Sequence, residues 1–147
     1  MMRAIILVLV ISVFLMACSK DKYTSAPQIT YKSLTSNVYD NALGSTGPGI
    51  IFSITDAEGD IGDSATIHIK NLLTNDSIII PFPNLNGATK KNFKAEITAT
   101  VGRLSGCLVA NPPGRIDSLY YELYVEDFAK NKSNTIVTAD PIYQQCP

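Results

Sequence analysis

The sequence, 147 residues long, predicts an all-β fold, an antiparallel sandwich of about seven strands. Three observations carry this. Apolar and polar residues alternate over runs of up to five periods. No stretch from Gln28 onward keeps a helical period. Glycine, proline and Asn-Asp breaks fall between the alternating runs.

The elements follow in order. A first strand lies near 28–34. A second covers 49–55, where Ile50, Phe52 and Ile54 share a face, after a break at Gly44, Gly47, Pro48 and Gly49. A third covers 65–72, with Ile67 and Ile69 alternating with Thr66, His68 and Lys70. Asn75-Asp76 is read as a hairpin turn into a short fourth strand, 77–81, which Pro81 and Pro83 end. A fifth covers 92–101, with Phe93, Ala95, Ile97, Ala99 and Val101 on one face. A sixth covers 117–126, with Leu119, Tyr121, Leu123 and Val125 inward. A seventh runs over 133–139 and extends toward Tyr143. Seven antiparallel strands in this length point to Greek-key connections and an immunoglobulin-like sandwich over 28–147. The Cys-Trp-Cys core of antibody domains is absent, since the chain has no Trp. A small open barrel is the alternative architecture.

Composition narrows the function. Formal net charge is −1, with 12 basic and 13 acidic residues, so no basic excess exists to track phosphates and no nucleic-acid partner is expected. The 46% hydrophobic content suits a packed core. A single His, at 68, weighs against His-based metal sites and Ser-His-Asp schemes. No nucleophile elbow, phosphate loop or metal-spaced Cys pair occurs. The expected class is non-enzymatic.

The first segment reads as a targeting signal. Met1-Met2-Arg3 is a positive start, and Ala4 to Ala17 is an apolar run of 14 residues interrupted by Ser12. That is shorter than the ~20 residues a spanning helix needs and fits a secretory signal over 1–17. Leu15-Met16-Ala17-Cys18 resembles the bacterial lipobox. The resemblance implies cleavage before Cys18 and lipidation of its thiol and new amino group. Residues 18–27 then form a lipidated tether to a membrane, where each buried CH₂ contributes about 0.8 kcal/mol. Without residues 1–17, and so without Arg3, 130 residues remain with a net charge of −2. Ser19-Lys20-Asp21-Lys22 resembles the short export signal of Bacteroidetes surface lipoproteins, which implies an outer-membrane or cell-surface address.

If Cys18 carries lipid, Cys107 and Cys146 remain as a pair in an oxidising compartment. A bridge would pin the C-terminal tail to the long Gly- and Pro-rich loop 102–116, for roughly 4 kcal/mol of stability. Two unrelated free thiols are the alternative.

Two oxygen-rich segments are candidates for ion binding. Asp56, Glu58, Asp60 and Asp63 place four carboxylates in eight positions directly after a strand. Such like charges repel unless a cation or solvent screens them, and oxygen-only ligands on a flexible turn suit Ca²⁺. The spacing is not that of an EF-hand. Asp127 and Asn131 also follow a strand and repeat the four-residue spacing of Asp56 and Asp60. In an immunoglobulin-like sandwich the two loops share one end. The expected ligands of one Ca²⁺ between the loops are Asp56, Asp60 and Asp127, with help from Glu58 and Asn131; a solvated acidic turn is the alternative.

At Phe52, Asp56, Glu58-Gly59-Asp60-Ile61-Gly62, Asp127, Ala129, Asn131, Ser133-Asn134 and Thr138, the chain resembles a family of small Bacteroidetes lipoproteins, mostly uncharacterised. The resemblance spans about Gly49 to Thr138 and implies an immunoglobulin- or cadherin-like sandwich. Two positions depart from the family pattern: Glu58 stands for Asp, and Lys130 stands for Gly. Lys130 brings a positive charge beside Asn131 and a Cβ to a turn suited to positive φ. The sequence reading is thus a membrane-anchored binding or structural module with an envelope protein or glycan partner. A carbohydrate- or protein-adhesion module using exposed loops and tyrosines, Tyr120 and Tyr124 among them, is the alternative. Asp-Ser-apolar triplets at Asp63, Asp76 and Asp117 resemble O-glycosylation sites of exported proteins and equally resemble ordinary turns.

Overall fold

The computed structural model describes residues 24–39, 47–62, 64–85, 90–102, 104 and 114–146. The signal segment, Cys18, Asp63 and Cys107 lie outside the described residues. Among the described residues there are ten strands and no helix. They are β1 Gln28–Leu34, β2 Val38–Tyr39, β3 Gly49–Asp56, β4 Thr66–Asn71, β5 Ser77–Pro81, β6 Phe93–Thr100, β7 Ile116–Leu119, β8 Tyr121–Glu126, β9 Ile136–Val137 and β10 Ile142–Gln145. Three sheets result, with orders β1-β3-β6, β5-β4-β8-β9 and β2-β10-β7.

The alternation in the sequence becomes the inside and outside of these sheets. Ile50, Phe52 and Ile54 of β3 are buried, as are Ile67 and Ile69 of β4 and Tyr121, Leu123 and Val125 of β8. One hydrophobic cluster joins these strands with Ile29, Ile97 and Ile142, so the inner faces pack on each other in a sandwich-like arrangement. Fully burying each large apolar side chain contributes about 1.5–3 kcal/mol.

Ten strands rather than seven arise because two predicted strands change partners midway and a short extra strand, β2, forms. The sixth breaks at Tyr120: β7 pairs with β10, whereas β8 pairs with β4 and β9. At the break the Tyr120 carbonyl accepts from Leu72 N–H at 2.9 Å, outside any ladder. The seventh is interrupted before Pro141, which has no N–H to give a ladder. Its first part, at Ser133 and Asn134, uses side chains for backbone pairing. Ser133 Oγ accepts from Val125 N–H at 2.9 Å. The Asn134 amide accepts from Ile29 N–H at 2.8 Å and donates to Ile29 C=O at 2.9 Å, tying this segment to β1 in the other sheet. The short β2 was not expected. It pairs parallel to β10, the one departure from antiparallel pairing among the described strands.

The β4–β5 hairpin turn lies where Asn75-Asp76 predicts it, with Asn75 at φ 63°. Tyr39 and Tyr121 carry hydroxyls into the interior, donating to the carbonyls of Gly102 and Leu104 at 2.8 Å each. Burial pushes the Tyr121 phenol well above its ordinary range.

Candidate metal centre

Strand parity builds the site. In β3 the inward residues are Ile50, Phe52 and Ile54, and the next inward position is Asp56. In β8 they are Tyr121, Leu123 and Val125, and the next is Asp127. Both carboxylates therefore continue an apolar inner row. Each is 0% exposed, and Asp60 joins them from the loop after β3. One oxygen from each of the three lies within 4.8 Å of the others.

The loop conformation is fixed by its own residues. Gly59 has φ 74°, and a Cβ there would collide with the backbone carbonyl of Lys90. Its N–H donates to Asp56 Oδ2 at 2.5 Å. Ile61, fully buried, anchors the far side of the loop. The two acidic loops are linked directly, Phe128 N–H donating to the Asp60 carbonyl at 3.2 Å. Asp127 is held by Asn131, whose backbone N–H donates to Oδ1 at 2.7 Å and whose Nδ2 donates to Oδ2 at 2.9 Å.

Two carboxylate oxygens, Asp56 Oδ1 and Asp60 Oδ1, are buried without any protein donor. The electrostatics follow. The Asp56 carboxyl is pushed up by burial, against the Gly59 N–H, with the charges of Asp60 and Asp127 adding to the rise. Asp60 is pushed up by burial and then by Asp127 and Glu58. Carboxylates that are close, desolvated and short of donors form an oxygen cage suited to a hard divalent cation. Two oxygens on opposite sides of a Ca²⁺ ion stand about 4.8 Å apart, twice a bond of about 2.4 Å. The three oxygens fit within that span.

Of the five residues predicted from sequence, the structure gathers Asp56, Asp60 and Asp127. Asn131 stands behind Asp127 as a donor and positions it. Glu58 is exposed and outside the close-set group, although its charge reaches Asp60. Lys130 does adopt positive φ, 70°. Its ammonium is turned to Glu126 Oε1, 3.0 Å away, and the charges acting on Asp56 and Asp60 are acidic ones. Ser133, Asn134 and Thr138 serve the backbone: Thr138 Oγ1 accepts from Tyr121 N–H at 3.2 Å.

His68, on the polar side of the β4 alternation, is half-buried and stacked on Tyr124 with ring centroids 4.3 Å apart and planes 10° apart. Lys132 Nζ lies 3.6 Å from the Tyr124 ring centre, so Tyr124 is engaged within the protein. Burial holds the His68 imidazole below its ordinary value. Cys146 is buried, its Sγ 3.4 Å from Asp117 Oδ2. No family model, curated protein or solved structure matches the chain.

Proposed function

We propose that this chain is a membrane-anchored lipoprotein of the outer membrane or cell surface, acting as a non-enzymatic structural or binding module in which Ca²⁺ clasps the β1-β3-β6 sheet to the β5-β4-β8-β9 sheet. The observation that carries the clasp is the pair of buried carboxylate oxygens without donors, at a point where the loops after β3 and β8 meet. A divalent cation there offsets the repulsion and joins one sheet to the other. Asp56, Asp60 and Asp127 would hold it, with Asn131 fixing the orientation of Asp127.

The strand orders support an immunoglobulin-like topology. β1-β3-β6 corresponds to strands A-B-E, and β5-β4-β8-β9 to C′-C-F-G, with β7 and β8 as one broken F strand and β9 and β10 as one broken G strand. The short parallel β2–β10 pair corresponds to an A′ strand against G. Kinship with the small Bacteroidetes lipoproteins is supported by the jobs the matching residues do. Asp56, Gly59 and Asp60 form the acidic loop, Asn131 orients Asp127, and Ser133, Asn134 and Thr138 complete backbone pairing. The non-enzymatic reading is supported by the one His, which is stacked on Tyr124 and bonded through Nε2 to Thr66 Oγ1 at 3.2 Å.

The address rests on the lipobox-like run ending at Cys18, and the Cys107–Cys146 bridge on the pairing left once Cys18 is lipidated. Labelling cells with a fatty-acid analogue tests the first: wild type is labelled and partitions with membranes, and Cys18→Ala is not. Unchanged labelling of the mutant overturns it. Non-reducing peptide mass mapping of exported protein tests the second. Peptides carrying Cys107 and Cys146 come joined, and free thiols at both positions refute the bridge.

A second reading, adhesion to a glycan or protein, is favoured by Tyr120 and Tyr143, which are 40% and 41% exposed. A glycan array probed with the full chain, against a Tyr120→Ala, Tyr143→Ala variant, distinguishes it: binding lost in the variant favours adhesion.

A further inference from the structure

The geometry points to a second binding surface: the outer edge of β5, which pairs with β5 of a second copy of this chain. Among the described residues β5 is the outer strand of its sheet, next to β4 alone. The register is fixed at Thr66↔Pro81, His68↔Ile79 and Lys70↔Ser77. Just beyond the strand ends, Asn71 N–H donates to Asp76 C=O at 2.8 Å and Phe82 N–H to Ala65 C=O at 2.9 Å. Antiparallel ladders alternate bonded and non-bonded pairs. Ile78 and Ile80 therefore bond to β4, while the backbones of Ser77, Ile79 and Pro81 face outward. Pro81, with no N–H, sits at an outward position, as an edge proline must.

Apart from its shortness and Pro81 at one end, that edge carries no charged guard. No Lys, Arg, Asp or Glu occurs in Ser77–Pro81, whereas edge strands are commonly blunted by charge. Ile79, on the outer face, is 62% exposed. It also walls a cavity of about 240 Å³ whose lining includes His68, Lys70, Ser77, Glu122 and Tyr124.

The sequence of the strand selects the occupant. Ile78-Ile79-Ile80 reads the same in both directions, so a two-fold axis at Ile79 makes each side chain meet its like. Ile79 faces Ile79 of the second copy as a hydrogen-bonded pair that exchanges two bonds. Ile78 faces Ile80 and Ile80 faces Ile78 on the inner side, where both are half-buried. Each Ser77 N–H meets a Pro81 carbonyl, giving two further bonds. The product is a continuous eight-stranded sheet with no like charges brought together by β5. Five residues of strand bury far less than the ~1,200–2,000 Å² of a stable interface, so the pairing is weak in solution. It matters where copies are concentrated, as on a membrane.

The test uses the full chain in detergent. Under mild oxidation, Ile79→Cys gives a disulfide-linked dimer, since bonded antiparallel partners have Cα atoms about 5.5 Å apart. Ser77→Cys does not, because it faces Pro81 of the other copy. Equal cross-linking of both variants, or of neither, overturns the proposal. So does cross-linking of Ile79→Cys only to a different protein. As a second measurement, sedimentation velocity from about 10 µM to about 1 mM shows a concentration-dependent dimer for wild type. Ile79→Lys, a change at an exposed side chain, stays monomeric. A wild type that remains monomeric throughout refutes it.

Discussion

Replacing Asp60 by Asn separates the cation clasp from an acidic turn, because the two ideas predict different responses with and without calcium. The substitution keeps the shape of the side chain and leaves the backbone bond from Phe128 N–H to the Asp60 carbonyl in place. It removes one of three charges whose oxygens lie within 4.8 Å. At that separation and an effective dielectric constant of ~20, each ionised pair repels by about 3 kcal/mol. Partial exposure of Asp60 and partial protonation of the cluster reduce the net relief to about 1–2 kcal/mol. Without metal, Asp60→Asn should therefore melt roughly 4–8 °C above wild type. With calcium the order reverses. At a hundredfold excess over Kd the cation stabilises wild type by about 2.7 kcal/mol, a rise of roughly 10 °C for a domain of this size. The variant, short of one anionic ligand, should rise little. The assay is a thermal melt by circular dichroism of both proteins in millimolar calcium and in chelator. Wild-type curves that coincide in calcium and chelator would refute the clasp, leaving a merely repulsive acidic turn.

Acidity should act on the same cluster with a definite sign. Asp56 and Asp60 have folded-state values raised above the ordinary 3.8, first by burial. The native state then binds more protons than the unfolded chain between 3.8 and the raised values, so metal-free stability falls as pH rises through that window. Urea midpoints in chelator should fall as pH rises from 3.8 through that window, and the gain from calcium should shrink on acidification; a calcium gain that grows on acidification contradicts this. Backbone geometry gives another test. Gly114→Ala, at φ 81° with open space around it, should cost about 1–2 kcal/mol. Gly59→Ala adds a collision with the Lys90 backbone to a similar φ, and should cost at least twice as much in urea unfolding. Equal losses would show that the loop yields freely.

Much of this architecture was legible because strand patterning has only two phases. The runs Phe93–Val101 and Leu119–Val125 could bury their alternate residues in one way only, and they did. What stayed hidden depended on partners rather than pattern. The alternation passes through Tyr120 without a fault, inward at Leu119 and Tyr121 and outward at Tyr120, yet the backbone there leaves one sheet for another. No residue type announces that change. The Val38–Tyr39 pairing is likewise a tertiary event in two residues. For the site, the acidic composition and the paired spacing found the loops and put Asp56, Asp60 and Asp127 ahead of Glu58 and Asn131, the three that the structure gathers. Strand parity supplies the reason for two of them. Asp56 and Asp127 each occupy the next inward step of an apolar row, whereas Glu58 has no such constraint and is exposed. The side-chain bonding of Asn131 could not be read at all. Asn is equally a ligand and a donor until its amide is placed against Asp127.

A buried acid at the end of an apolar row contradicts the local rule that wrote the row, and natural sequences keep such contradictions at sites that use them. Here the contradiction occurs twice, in strands from different sheets, and both acids arrive at the same point. Three remedies exist for the resulting charge. Hydrogen bonding covers part of it, through Gly59 and Asn131, but leaves Asp56 Oδ1 and Asp60 Oδ1 without donors. Protonation neutralises the carboxyls of Asp56 and Asp60 only as far as their raised values allow, and that stability is lost as pH rises through those values. A divalent cation would neutralise the group while satisfying both orphan oxygens, and would do so across the seam between two of the sheets. Lys130, the residue best placed by sequence to serve as an internal counter-charge, is turned outward to Glu126 instead. With Lys130 committed to Glu126, the clasp we propose would draw its compensating charge from solution.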